Sequence, residues 1–232
     1  MKKSLLAASV AAILTACGGG GDDVSGAQPP VAQPQEQLFN YKEAVAKGIE
    51  KGYRQELQAF SSNGCTGRAT ITAGPAYESS FEGRPALAHN YELLIEYTNC
   101  QPSRIVESHV FYYDNEYSQI AVVFGRYAAI AKNMYKLPEK AKPGDAFMTG
   151  DFGIYLDGDR TKEIGAFQAG VKVEAMPEKG KIKTTMHSTT TYHSSPGPII
   201  QRSENILDTQ GNLEFVRWTT TYPNGIVVTF QK

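Results

Sequence analysis

The chain has 232 residues, 41% of them hydrophobic and 20% charged, with 23 lysines and arginines against 24 acidic residues. That length supports one well-buried core without requiring two domains. The near balance of charge, mixed along the chain, excludes a dedicated basic surface for nucleic acid or for anionic lipid heads.

The N terminus divides into the positive Met1-Lys2-Lys3-Ser4 and the apolar run Leu5 to Leu14. This run is about half the ~20 residues that a bilayer-spanning helix needs, so residues 1–16 are expected to be a secretion signal and not an anchor. Leu14-Thr15-Ala16-Cys17 resembles the lipobox of bacterial lipoproteins. The resemblance implies cleavage before Cys17, a diacylglycerol on its thiol and a third, amide-linked acyl chain, where two chains already suffice for stable anchoring. Gly18 follows the cysteine and aspartates come only at Asp22 and Asp23. In such lipoproteins this arrangement implies the outer membrane, with the body facing the periplasm or the cell surface.

Residues 18–37, GGGGDDVSGAQPPVAQPQEQ, hold no aromatic residue and too few apolar ones to offset the entropy of ordering. With Cys17 they are expected to form a disordered, lipidated tether, flexible at its glycines and stiffened by Pro29, Pro30 and Pro34, with a reach on the order of 60 Å. With Cys17 taken by lipid, Cys65 and Cys100 remain, and outside the cytoplasm two such thiols are expected to pair as a disulfide.

Residues 38–232 read as a single β-rich domain. From Leu38 to Phe60, the residues Leu38, Tyr41, Val45, Ile49, Tyr53, Leu57 and Phe60 recur every three or four positions, which predicts an amphipathic helix. Asn40 and Glu43 suit a capping box at its start, and Ser61-Ser62-Asn63-Gly64 a stop. Gly48 and Gly52 suggest close approach to whatever the helix packs on. After Cys65 the period becomes two. Ala69, Ile71 and Ala73 mark one strand, Tyr91 to Thr98 a second, and Val106, Val110 and Tyr112 a third. Asp114-Asn115-Glu116 turns the chain into a strand over 118–125, while 128–137 suits either a strand or a short helix ended by Pro138.

In the C-terminal half, six segments (147–156, 164–175, 182–193, 199–207, 213–222 and 226–230) alternate with Gly-, Pro- and Asn-containing turns, which predicts an antiparallel meander. Several exceed the usual five or six residues, as the walls of strongly coiled sheets do. The expected fold is therefore mainly β, with an N-terminal helix packed on a long, strongly curved meander closed as a barrel or left as a half-barrel. This order of elements resembles the half-barrels of outer-membrane lipoprotein carriers and related lipid-handling lipoproteins, a resemblance of architecture without a shared motif.

Candidate chemistry is sparse. Lys183 to His193, KTTMHSTTTYH, places His187 and His193 on one strand face, but ~20 Å apart, too far for one metal ion. That face reads either as a threonine-rich solvent face or as the polar wall of a ligand groove. Asp157-Gly158-Asp159 with Glu163 has some look of a calcium loop but lacks its third acidic ligand and spacing, and Asp-Gly is a hairpin signal on its own. His89 and His109 have carboxylates nearby in sequence at Glu92 and Glu107; no nucleophile elbow, His-Glu-x-x-His pair or phosphate loop occurs. Thirteen tyrosines, with Tyr112, Tyr113 and Tyr117 around one turn, suit cross-strand packing, groove rims and interfaces alike. No catalytic residue, metal site or cofactor is expected. The expected role is a non-catalytic binding or assembly module at the outer membrane, for a lipid or other apolar ligand; the alternative is a surface-displayed lipoprotein that binds a protein partner.

Overall fold

The computed structural model describes residues 37–156 and 161–232. Helix α1 (Tyr41–Lys51) is followed by β1 (Tyr53–Ser61), β2 (Thr66–Ala73), β3 (Tyr77–Phe81) and β4 (Arg84–Tyr97). Next come β5 (Arg104–Tyr113), β6 (Gln119–Phe124), β7 (Tyr127–Asn133), β8 (Ala146–Leu156) and β9 (Glu163–Ala175). The chain ends with β10 (Lys181–Tyr192), β11 (Ile199–Asp208), β12 (Leu213–Thr221) and β13 (Val227–Gln231).

From β4 to β13 each strand pairs with the next, antiparallel. Two further pairings close the ring: β13 meets β1, and β2 meets β4 by passing over β3. The result is a closed twelve-stranded antiparallel barrel, with β3 a flap on the first half of β4. Closure settles the alternative between barrel and half-barrel, and it leaves no long unpaired edge to invite another chain.

Antiparallel register sends successive turns to opposite ends. At one end the turns after β5, β7, β9 and β11 surround α1. Phe39 exchanges two backbone hydrogen bonds with Ala141 in the β7–β8 connection, each 2.9 Å. Lys42 reaches Glu116 and Glu139, and the Tyr117 hydroxyl donates to Glu50. At the other end the Cys65–Cys100 disulfide joins the β1–β2 turn to the β4–β5 connection, as the cysteine count implied.

The helix is shorter than the 38–60 periodicity predicts. It stops at Lys51, and residues 53–61 are strand β1. Gly52 causes the break. Its φ of 65° is left-handed, and a Cβ there would lie 2.3 Å from the Ala73 carbonyl oxygen, so only glycine turns the chain this tightly against β2. Close approach thus applies to Gly52, whereas Gly48 meets nothing within 4 Å. The capping box is also incomplete: Asn40 caps no backbone N–H and instead donates from its side chain to Glu43. The ambiguous 128–137 segment is strand β7 over most of its length.

Side-chain alternation gives the wall two characters. The inner face packs in three apolar groups: Tyr41 and Ala44 of α1 on Val173 and Leu207, Leu57 and Ile71 on Ile95 and Phe230, and Val122 on Phe152 and Ile154. The outer face carries charged ladders, among them Lys183 with Glu174 at 2.8 Å and Glu204 with both Arg202 and Arg217 at 3.0 Å. A barrel that crosses a bilayer turns an apolar band outward. This outer wall carries charged pairs instead.

Thr185 lies in that ladder, opposite Glu204 and Lys172. It is 0% exposed, and its hydroxyl has no hydrogen-bond partner. A buried hydroxyl without a partner costs about 1–3 kcal/mol, and valine keeps the shape and the β-branch. Thr185→Val is expected to stabilise the barrel by about 1 kcal/mol, read as a higher urea midpoint with an unchanged slope.

Candidate functional site

Small barrels fill their interiors with side chains, and wider ones enclose space. This barrel encloses a cavity of about 630 Å³, within the range of small-molecule sites. Tyr53, Met186 and Leu213 line it and are nonetheless 42%, 42% and 38% exposed. They lie on inward rows.

One wall comes from β4 and β5. Inward alternation brings Tyr91 opposite His109 and His89 opposite Phe111, and the rings form a connected sheet. Tyr91 lies 5.8 Å from both His109 and Phe111, and His109 5.7 Å from Phe124. The facing wall is mixed. β12 supplies Phe215 and Trp218, while β10 and β11 supply Ser188, Gln201, Ser203 and Asn205. Aromatic faces beside dispersed hydroxyls and amides suit a ligand with an apolar body and a few polar groups.

The third boundary is α1, whose Ala44, Lys47, Gly48 and Lys51 look into the lumen. His89 holds the helix there. Its Nδ1 donates to the Ile49 carbonyl at 3.2 Å, one of the last-turn carbonyls left without an intrahelical donor. A carbonyl only accepts, so the proton of the neutral ring sits on Nδ1. Burial lowers the His89 pKa, partly opposed by this bond.

Desolvation also acts on several other lumen side chains. Burial raises the Tyr91 and Tyr113 hydroxyls far above their usual range, with the Tyr53 hydroxyl a lesser cause for both and Glu107 for Tyr91. Burial also lowers the His109 imidazole and raises the Glu107 carboxyl. Glu107 and His109, two apart on β5 and both facing inward, place Oε2 3.9 Å from Nε2.

No protein-family profile, curated protein or solved structure matches the chain.

Of the residues singled out by sequence, His109 and Glu107 come together on the lumen wall, whereas Glu92 alternates to the face of β4 opposite His89. His187 is exposed on the outer face of β10, so the His–Thr row is the outer face, with Thr185 buried within it, and the inner row gives Met186 and Ser188 to the lumen. Tyr113 faces inward, Tyr112 packs outside on Phe81 at 4.9 Å, and Tyr117 ties down α1. Glu163 pairs with Lys132 at 2.7 Å. Cys17 and the Asp157-Gly158-Asp159 turn lie outside the described residues; among the described residues no cluster of three or more potential metal ligands occurs. Tyr53, Gln55 and the α1 lumen face were missed. The signal for them is Gly52, whose left-handed break restarts the alternation at Tyr53.

Proposed function

We propose that this protein is a lipoprotein of the outer membrane, anchored through an acylated Cys17, whose barrel holds a small amphipathic molecule in its lumen. The observation that carries the reading is the hollow interior: large aromatic and aliphatic side chains such as Tyr53, Met186 and Leu213 stay exposed inside a closed wall. Leaving apolar surface uncovered forgoes about 25 cal/mol per Å², and a ligand that covers it recovers that energy. Binding, and not catalysis, is the role that suits a wall of dispersed hydroxyls and amides. The lipobox resemblance supports the address, and the charged outer wall supports a body standing in water beside the membrane rather than within it.

Native mass spectrometry of the full-length protein extracted from bacterial membranes tests both parts. The expected spectrum shows a polypeptide starting at Cys17 with added acyl mass, together with a small molecule released on unfolding. An unacylated N terminus overturns the address, and an empty lumen in protein taken directly from cells overturns the carrier role.

A further inference from the structure

Glu107 stands on the lumen wall without a lysine or arginine partner among the described residues, whereas several outer-wall carboxylates have one. The outer Glu204 has two arginines at 3.0 Å, and Glu174 has Lys183 at 2.8 Å. Among the described residues the basic group that pairs with Glu107 is His109, 3.9 Å away and held toward its neutral form by burial. Glu107 in turn adds to the rise of the Tyr91 and Tyr222 hydroxyls, which burial chiefly causes, and neither offers it a positive charge. Lys47 and Lys51 enter the lumen from α1, at the opposite end of the β5 row from Glu107, and Lys47 is engaged by Glu43 at 2.8 Å. A carboxylate that faces a partly desolvated lumen without a counter-charge carries a cost. The Glu107 side chain keeps 44% of its surface accessible to the lumen, and among the described residues no lysine or arginine pairs with it.

The surroundings of Glu107 favour one kind of compensating group. Tyr91 and His109 stand beside it with ring centroids 5.8 Å apart, and Phe111 continues the aromatic surface. Aromatic faces beside a carboxylate attract a cation both through the ring quadrupole and through direct charge pairing, and desolvation strengthens both. An anion would meet the Glu107 charge, and a neutral apolar ligand would leave it unpaired.

We infer that the lumen selects an organic cation, an amine or quaternary ammonium compound whose charged head pairs with Glu107 beside Tyr91 and His109 while its apolar body lies along the aromatic wall. This rests on the reading of the barrel as a small-molecule carrier. The price of an unpaired interior carboxylate in the empty protein is what gives the occupied one its selectivity.

Trp218 lines the lumen and is the single tryptophan of the chain, so its fluorescence reports occupancy directly. The test uses the full-length protein in lipid nanodiscs with three probes of one shape class: benzyltrimethylammonium, its neutral carbon isostere neopentylbenzene, and anionic benzylsulfonate. The expected result is binding of the ammonium probe at least tenfold tighter than of the isostere, with the sulfonate weakest. Glu107→Gln is expected to erase the preference and to raise the melting temperature of the empty protein at pH 7. That gain vanishes at a pH low enough to protonate Glu107, because the raised pKa means that folding disfavours only the charged form. A residue with a merely structural role would lose stability on replacement. Equal affinity for ammonium probe and isostere overturns the cation inference and leaves the carrier reading standing, as does a preference that survives Glu107→Gln. If none of the three probes alters Trp218 emission or releases heat on titration, both fall together.

Discussion

Replacing Cys65 and Cys100 together by serine is expected to cost about 4 kcal/mol. The bond spans a sequence separation of 35 residues, and the chain-entropy relation for a loop of that length gives a value near this at 25 °C. The location adds to the expectation. The β2–β4 pairing is the ring's one contact that passes over an intervening strand, and the disulfide lies at its end. The same corner is held by the Asn99 side chain, which accepts from the Thr66 N–H at 2.8 Å and donates to the Gly64 carbonyl at 2.9 Å, and by the Thr98 N–H donating to the Thr66 carbonyl at 2.9 Å. Without the covalent link these bonds alone must hold the seam. The double serine variant should show a lower urea midpoint and faster amide exchange in β2 and β4 than in β9 and β10. A midpoint unchanged by the replacement, or by reduction of the native protein, would show that the seam closes independently of the bond.

The C-terminal meander was legible because its strands obey two simple rules at once. Segments such as 164–175 alternate over most of their length, and each is bounded by a Gly or Pro turn, so local chemistry and tertiary pairing agree. The N-terminal region breaks the first rule. Tyr53, Leu57 and Phe60 continue the spacing of α1 by coincidence, and the inward row of β1 is Tyr53, Gln55, Leu57 and Ala59, in which the glutamine hides the alternation. Only the backbone demand at Gly52 separates helix from strand.

The lumen was illegible for a related reason. Binary patterning assigns apolar residues to the inside, and on β5 that assumption inverts the strand. Val106, Val110 and Tyr112 look like the core row, yet Val106 is 44% exposed on the outer wall, and Glu107, His109 and Tyr113 face inward. A packed core would not tolerate that inversion, because burying a carboxylate and an imidazole costs more than burying valines gains. A hollow interior does, and sequence rules break where a site is built. Closure itself was beyond local reading, since the β1–β13 and β2–β4 contacts join segments whose pairing no turn dictates.

Gly48 supplies the sharpest test of whether that hollow is used. A glycine inside a helix costs about 1 kcal/mol relative to alanine, and this one has no positive φ and no neighbour within 4 Å of its missing Cβ. Neither conformation nor packing requires it. It faces the lumen, so its effect is to leave the helix end of the cavity open. Gly48→Ala should stabilise the protein by about 1 kcal/mol with little change in binding. Gly48→Leu should stabilise it at least as much, because the side chain gains helix propensity and covers lumen surface, while reducing affinity for any lumen ligand by tenfold or more as the leucine occupies the same space. Thermal unfolding and titration of Trp218 emission measure the two effects on one sample. Stability and binding would then move in opposite directions along a single graded series, which is the mark of a position kept for occupancy. A leucine variant that binds as well as the native protein would place the ligand elsewhere.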